Sequence, residues 1–174
     1  IPKELNERDN LNTTSDLSIH PNLKVGLSYE FIDRQDGWKN VAVRYDLPHK
    51  VTALEHGLAY QALRDGKIDV TDAYSTDGEI EKYNLVLLQD NLHFFPDYQA
   101  VAFYTDQLPE GAVNILSKLI GLISETEMQH LNAQALFENK SHRTIAREFL
   151  IKKGLLNADA TEEMPAINQV LART

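Results

Sequence analysis

Short apolar runs that alternate with helical stripes constrain this chain more than any other feature. The runs Leu23-Lys24-Val25-Gly26-Leu27, Lys50-Val51-Thr52-Ala53-Leu54 and Ile68-Asp69-Val70, with residues 84–88 and 99–104, read as strands. Between the second and third, Leu58, Ala59, Ala62 and Leu63 fall on one helical face, and Gly66 stands where a left-handed cap ends such a helix. Strand, helix and strand in that order predict α/β architecture. From Pro109 the period becomes helical throughout. Val113, Leu116, Leu119, Ile120 and Ile123 form one stripe. Ser124 with Glu127 has capping-box spacing ahead of Met128, Leu131 and Ala135. A third helix starts near Ser141, buries Ile145 and Phe149, and ends at Gly154. Residues 1–22 carry Asn6, Asn10, Asn12, Thr13, Thr14 and Ser15 and read as a polar lead-in or linker, while 157–174 read as a polar tail with a short helix around Ile167 to Leu171.

The length of 174 residues suits one sizeable domain, or a small domain with half of another. With 43% hydrophobic and 25% charged residues the composition is that of a soluble globular protein. No apolar run approaches the roughly eighteen residues of a membrane span. Seventeen basic residues against twenty-six acidic ones give a net charge of −9, which disfavours a nucleic-acid backbone or an anionic membrane as partner. The absence of cysteine excludes a disulfide framework, a thiolate metal site and a cysteine nucleophile. The opening IPKELNERDN lacks a basic start and an apolar stretch, so a secretory signal is expected to have been removed or to lie upstream.

Catalytic patterns are sparse. The histidines at 20, 49, 56, 93, 130 and 142 show neither paired ligands four apart on a helix nor a neighbouring acidic ligand pattern, so no metal is expected, and no cofactor either. Ser75 near Asp77 lacks a strained elbow and a serving histidine, and such neighbours are usually turn-formers. The pairs Glu79 with Glu81 and Asp69 with Asp72 read as solvated charges. Gly66 and Gly78 stand alone and make no phosphate-cradling loop. Arg143, Arg147, Lys152 and Lys153 sit where cations favour a helix C-terminus.

More informative are aromatic and polar groups at the carboxyl ends of the expected strands, where open α/β sheets form their binding crevices. The strand from Ile68 runs into Asp72-Ala73-Tyr74-Ser75-Thr76-Asp77-Gly78, so Tyr74 and Thr76 emerge at its mouth. Tyr98 ends Phe94-Phe95-Pro96-Asp97-Tyr98, and the first strand ends in Ser28-Tyr29-Glu30-Phe31 with Arg34, Asp36 and Trp38 behind it. A tyrosine at a strand end is commonly a rim residue with a wet hydroxyl. Several converging on one crevice form an aromatic box for a quaternary ammonium, at about 0.5–2 kcal/mol per ring.

Gly57-Leu58-Ala59-Tyr60-Gln61-Ala62-Leu63, Gly66-Lys67-Ile68-Asp69-Val70, Asp72 to Gly78, Tyr83 to Asp90 and Phe94 to Ala100 follow one another in order. With Gly26 to Phe31, Arg34-Gln35-Asp36-Gly37 and Met128-Gln129-His130-Leu131-Asn132, they resemble the osmoprotectant-binding proteins of ABC importers, from about residue 22 to 155. The resemblance implies a periplasmic-binding-protein-like (type II) α/β lobe with a mixed sheet flanked by helices, followed by a helical segment belonging to the other lobe. Residues 1–22 are then a lead-in, 23–95 the second lobe, and 96–174 a return into the first lobe, whose N-terminal half has no counterpart here. It further implies an extracytoplasmic protein that passes glycine betaine, choline or carnitine to a permease subunit. Carried over by position, Tyr74 is a box wall from the second lobe and Tyr98 one from the first. Arg34 holds the solute's carboxylate or polar end, and Thr76 adds a hydrogen bond. Asp97 departs from the apolar residue or proline usual before that tyrosine. Arg34 has an alternative reading as a surface arginine paired with Asp33 or Asp36. Two other functions remain open on sequence: an α/β hydrolase or transferase with its site elsewhere, and a regulatory domain of the same fold without ligand. Exposure of the stripe after Pro109 further suggests a homodimer formed through exposed or exchanged C-terminal helices.

Overall fold

A computed structural model describes residues 1–158. Packing divides the chain after Ala133 into two units, whereas the resemblance implies a lobe boundary near residue 95.

The first unit is built around a short parallel sheet. β1 (Val25–Ser28) pairs with β2 (Val51–Leu54) in the register Val25 to Val51 through Ser28 to Leu54. Every residue of β1 is buried, as befits the strand with neighbours on both sides. On its far edge the stretch expected as a third strand makes one parallel bridge, Val25 to Val70, and the Gly26 amide donates to the Val70 carbonyl at 2.9 Å. Two helices follow β1: α1 lies earlier, at Lys3–Asp9, while α2 (Tyr29–Asp33) and α3 (Trp38–Tyr45) lead to β2. α4 (His56–Arg64) returns the chain to the third sheet position, and Gly66, at φ 67°, ends it in the left-handed conformation expected there. Its buried face is Ala59, Tyr60 and Leu63; Leu58, expected on that face, is exposed.

Residues 1–22 are not a linker. After α1 they form a turn of 3-10 helix at Thr14–Ile19, and Leu5, Leu11 and Leu17 enter the same core as Val25, Leu27, Val41, Tyr45 and Val70. Leu11 is 0% exposed, and burying a leucine contributes about 1.5–3 kcal/mol. These leucines follow no helical or strand period, because Asn10 breaks the segment in a left-handed cap at φ 54°. The polar residues between them do structural work: Thr13 and Asp16 form a capping box, with Asp16 accepting from the Thr13 amide at 2.7 Å. Residues 84–88, expected as a strand, make instead a single bridge to this segment, Pro2 to Leu85, and Gln89 beyond them makes another, to Thr13.

The expected strand at 99–104 does not form. Among the described residues no strand pairs with it, and Phe103 is 93% exposed; without a partner ladder an extended segment gains no regular hydrogen bonding. α5 (Gly78–Lys82) precedes this stretch, and α6 (Glu110–Ser117) follows Pro109. α6 carries Val113 and Leu116 of the expected stripe and ends before the rest, in a turn ending at Gly121 with φ 67°, and Leu116, Leu119 and Ile120 are exposed. α7 (Glu125–Phe137) starts as expected, with Ser124 Oγ accepting from the Glu127 amide at 3.2 Å. Ahead of it in space, Gly78 meets α7 so closely that a Cβ there would lie 2.5 Å from the Ala133 nitrogen.

In the second unit α8 (His142–Lys152) is capped by Ser141, buries Ile145 and Phe149, and is followed by Gly154 at φ 70°, all as the sequence predicts. The helix expected around Ile167 to Leu171 lies outside the described residues.

The contact at Gly78 yields a direct test. Gly78→Ala forces backbone apart and should destabilise the chain by about 1–3 kcal/mol in urea unfolding. Gly111→Ala, in α6 with nothing within 4 Å of a new Cβ, should be neutral or stabilising. Equal effects would contradict the packing described.

Candidate ligand-binding site

The carboxyl ends of the three sheet positions converge on one polar cluster. At the end of β1 the Ser28 amide and hydroxyl donate to Asp72, at 2.7 and 2.6 Å, while Ser28 Oγ caps α2 by accepting from the Phe31 amide at 3.2 Å. At the end of β2, Glu55 caps α4 by accepting from the Leu58 amide at 3.1 Å, which leaves His56 as the first residue of the helix. The third position runs through Val70 to Asp72 and on to Asp77. One oxygen of Asp77, Oδ2, faces His56 Nε2 at 3.1 Å and accepts from the buried Tyr60 hydroxyl at 2.6 Å and the Tyr74 amide at 3.0 Å. The other ring nitrogen of His56 is 3.8 Å from Asp72.

Electrostatics follow from that geometry. The contact with Asp72 and then the hydrogen bond to Asp77 outweigh burial and push the His56 pKa up to about 10. Burial raises Asp72 and Asp77, but the nearby His56 cation and the hydrogen bonds from Ser28 to Asp72 and from Tyr60 to Asp77 more than offset it, leaving both below their ordinary value. Burial, followed by the bond to Asp77, pushes the Tyr60 hydroxyl far above the usual phenol range. The cluster is thus an imidazolium between two carboxylates.

Of the residues singled out by sequence, Tyr74 sits on this cluster with its ring 52% exposed and 5.5 Å from the His56 ring. Tyr98 is 64% exposed, and Arg34 lies over its ring at 5.9 Å from the centroid. Arg34 also donates to the Tyr98 hydroxyl at 3.1 Å and makes a bidentate pair with Asp36, at 2.8 and 2.5 Å. The Tyr98 hydroxyl donates to Asp36 as well. The pair with Asp36 raises the Arg34 pKa beyond its ordinary value. Thr76 is held through its carbonyl, which accepts from Asn132 at 2.8 Å. From the same face of α7, Gln129 donates to the Ser75 carbonyl at 2.6 Å, and Ser75 donates to Glu125 at 2.9 Å.

The sequence reading brought out the rings and missed their support. Tyr60, Asp72 and Asp77 lie within runs that carry the resemblance but were given no role there, and His56 lies outside them.

The parallel α/β arrangement is of the periplasmic-binding-protein-like (type II) class. The chain belongs to the family described as the substrate binding domain of ABC-type glycine betaine transport system, which it matches over residues 1–152. That is a family of transport proteins, not of enzymes. The chain is 39% identical to carnitine transport binding protein OpuCC of Listeria monocytogenes over 159 residues, covering 87% of this chain and 51% of the relative. It is 32% identical to the ergothioneine transport permease/ergothioneine binding protein EgtU of Helicobacter pylori over 161 residues, covering 89% of this chain and 29% of the relative. A solved structure described as a glycine betaine/carnitine/choline ABC transporter superposes with a TM-score of 0.82 at 36% identity, covering 90% of this chain and 60% of that one. The chain therefore spans about half, or less, of the length of these curated relatives.

The His56 cluster makes stability depend on pH with a definite sign. A raised pKa means that the folded chain binds the proton more tightly, so the contribution is complete below the ordinary value of 6.5 and is lost as pH rises towards 10. Urea midpoints should fall more steeply between pH 7 and pH 10 for the native chain than for His56→Gln. Parallel curves would contradict the assignment.

Proposed function

We propose that this chain is part of the substrate-binding component of an ABC importer, capturing a quaternary-ammonium solute such as glycine betaine, choline or carnitine on the extracytoplasmic face and delivering it to a permease subunit. The observation that carries this reading is the exposed Tyr74 at the carboxyl end of the sheet, together with the exposed Tyr98 whose ring lies against Arg34. A methylated nitrogen has no N–H to donate, so it is recognised by ring faces rather than by hydrogen-bond acceptors. The face of Tyr98 already receives one cation, the Arg34 guanidinium.

In this reading residues 23–95 belong to the second lobe and supply Tyr74, while 96 onward return to the first lobe and supply Tyr98. Arg34 meets the solute's carboxylate, exchanging part of its pairing with Asp36 for it, and Thr76 adds a hydrogen bond. The carnitine and glycine betaine specificities in the relatives' names support the solute class.

In the natural full-length protein, Tyr74→Phe should keep most of the affinity for glycine betaine, whereas Tyr74→Ala should lose about 1–2 kcal/mol. Equal losses would mean that the hydroxyl carries the contact. Arg34→Ala should weaken glycine betaine more than choline, which has no carboxylate to pair; equal weakening in calorimetric titrations would remove Arg34 from the site.

A further inference from the structure

Nothing in the reading so far uses His56, although it stands between two carboxylates beside Tyr74. We infer that His56 is a positioning residue for the solute site: clamped between Asp72 and Asp77, it fixes the segment that carries Tyr74 and so sets the aim of that ring. This rests on the reading of Tyr74 as a wall of the box.

The placement of His56 is not explained by the helix it begins. Glu55 already caps α4, and a cation at a helix N-terminus is opposed by the helix dipole. What favours the imidazolium is the pair of carboxylates across from it, at 3.1 Å from Asp77 and 3.8 Å from Asp72. The link to Tyr74 is short. The same Asp77 oxygen that faces His56 accepts the Tyr74 backbone amide at 3.0 Å, so a shift of that carboxylate moves Tyr74 directly. A second link is ring to ring, with His56 and Tyr74 centroids 5.5 Å apart at 58° and His56 packed edge-on against the buried Tyr60 at 5.3 Å. If His56 loses its charge, Asp72 and Asp77 are left sharing the cluster with no cation between them. Their repulsion then acts on residues 72–77, which Ser28 holds at Asp72, Tyr60 at Asp77, and α7 at Ser75 and Thr76.

The charged and titratable groups facing His56 are Asp72, Asp77 and Tyr74 from the strand-end segment and Tyr60 from α4; Glu55 precedes it in the chain, and Glu79 of α5 acts on Tyr60. Asp72 and Asp77 lie below their ordinary values and stay ionised above pH 7, while the Tyr60 hydroxyl is pushed above the alkaline range. Any other ionisation is common to the native protein and to a His56 variant.

The test compares glycine betaine binding by the natural full-length protein and by His56→Gln between pH 7 and 10.5. The probe's quaternary nitrogen carries no proton, so its charge is constant. At pH 7 the substitution should weaken binding about two- to thirtyfold, the range for coupling through a positioned segment. Native affinity should then fall towards that of the variant as pH rises, so that the ratio between the two shrinks towards one. Equal affinity at pH 7, or parallel profiles, overturns the inference, because a merely structural histidine would shift stability without reshaping the binding curve. If the variant does not fold, NMR of the native protein decides. The Overhauser contact between the Tyr74 and His56 rings should be lost as His56 deprotonates, and its persistence overturns the inference. Failure of the native protein to bind glycine betaine at pH 7 would reject the proposed solute class, and the same NMR contact would still decide the positioning role.

Discussion

The ion cluster of Asp72, His56 and Asp77 is the constraint on which the rest of the site depends. A parallel sheet gathers the ends of its strands on one side, and the backbone there leaves the ladder with polar groups still to be paired. Here Asp72 takes the amide and hydroxyl at the end of β1, and Asp77 takes the Tyr60 hydroxyl from α4 and the amide of Tyr74. Hydrogen bonds to charged groups contribute about 1.5–3 kcal/mol each. They hold two carboxylates close together only because the imidazolium between them cancels part of their charge.

This arrangement separates support from contact. The cluster is partly buried and its members are hydrogen bonded, whereas Tyr74 and Tyr98 leave much of their rings open. An aromatic box works best when its walls need no reordering as the ligand arrives, since each side chain immobilised on binding costs about 0.5–1.5 kcal/mol. For Tyr74 the backbone is fixed from one side by Asp77, and its neighbours Ser75 and Thr76 from the other by α7. For Tyr98 the hydroxyl is tied to Asp36 and the face is covered by Arg34.

The periodic parts of this fold were legible in the sequence. β1, β2, α4, the start of α7 and α8 all carry apolar spacing and end signals that local physics enforces, such as Gly66 and Gly154 in left-handed caps and Ser124 and Ser141 as helix caps. The N-terminal segment was misread because its buried leucines are spaced across a turn at Asn10 and share no period. The run at 99–104 was misread for the opposite reason: it has the composition of a strand, and a strand also needs a neighbour. For the site, Tyr74, Tyr98 and Arg34 were visible as motif residues, whereas the role of His56 depends on residues sixteen and twenty-one positions away brought together by the sheet. Of the two sequence-level readings of Arg34, the pairing with Asp36 is present in the structure.

Recognition by ring faces makes a claim that one comparison tests most directly: calorimetric titration of the natural full-length protein with glycine betaine and with glycine, which differ only in the methyl groups on nitrogen. Rings attract the diffuse charge of the methylated ammonium and offer no acceptors for an N–H, so glycine betaine should bind at least about a hundredfold more tightly. Equal affinity, or a preference for glycine, would show that the nitrogen is held by hydrogen-bond acceptors and that the aromatic site does not exist.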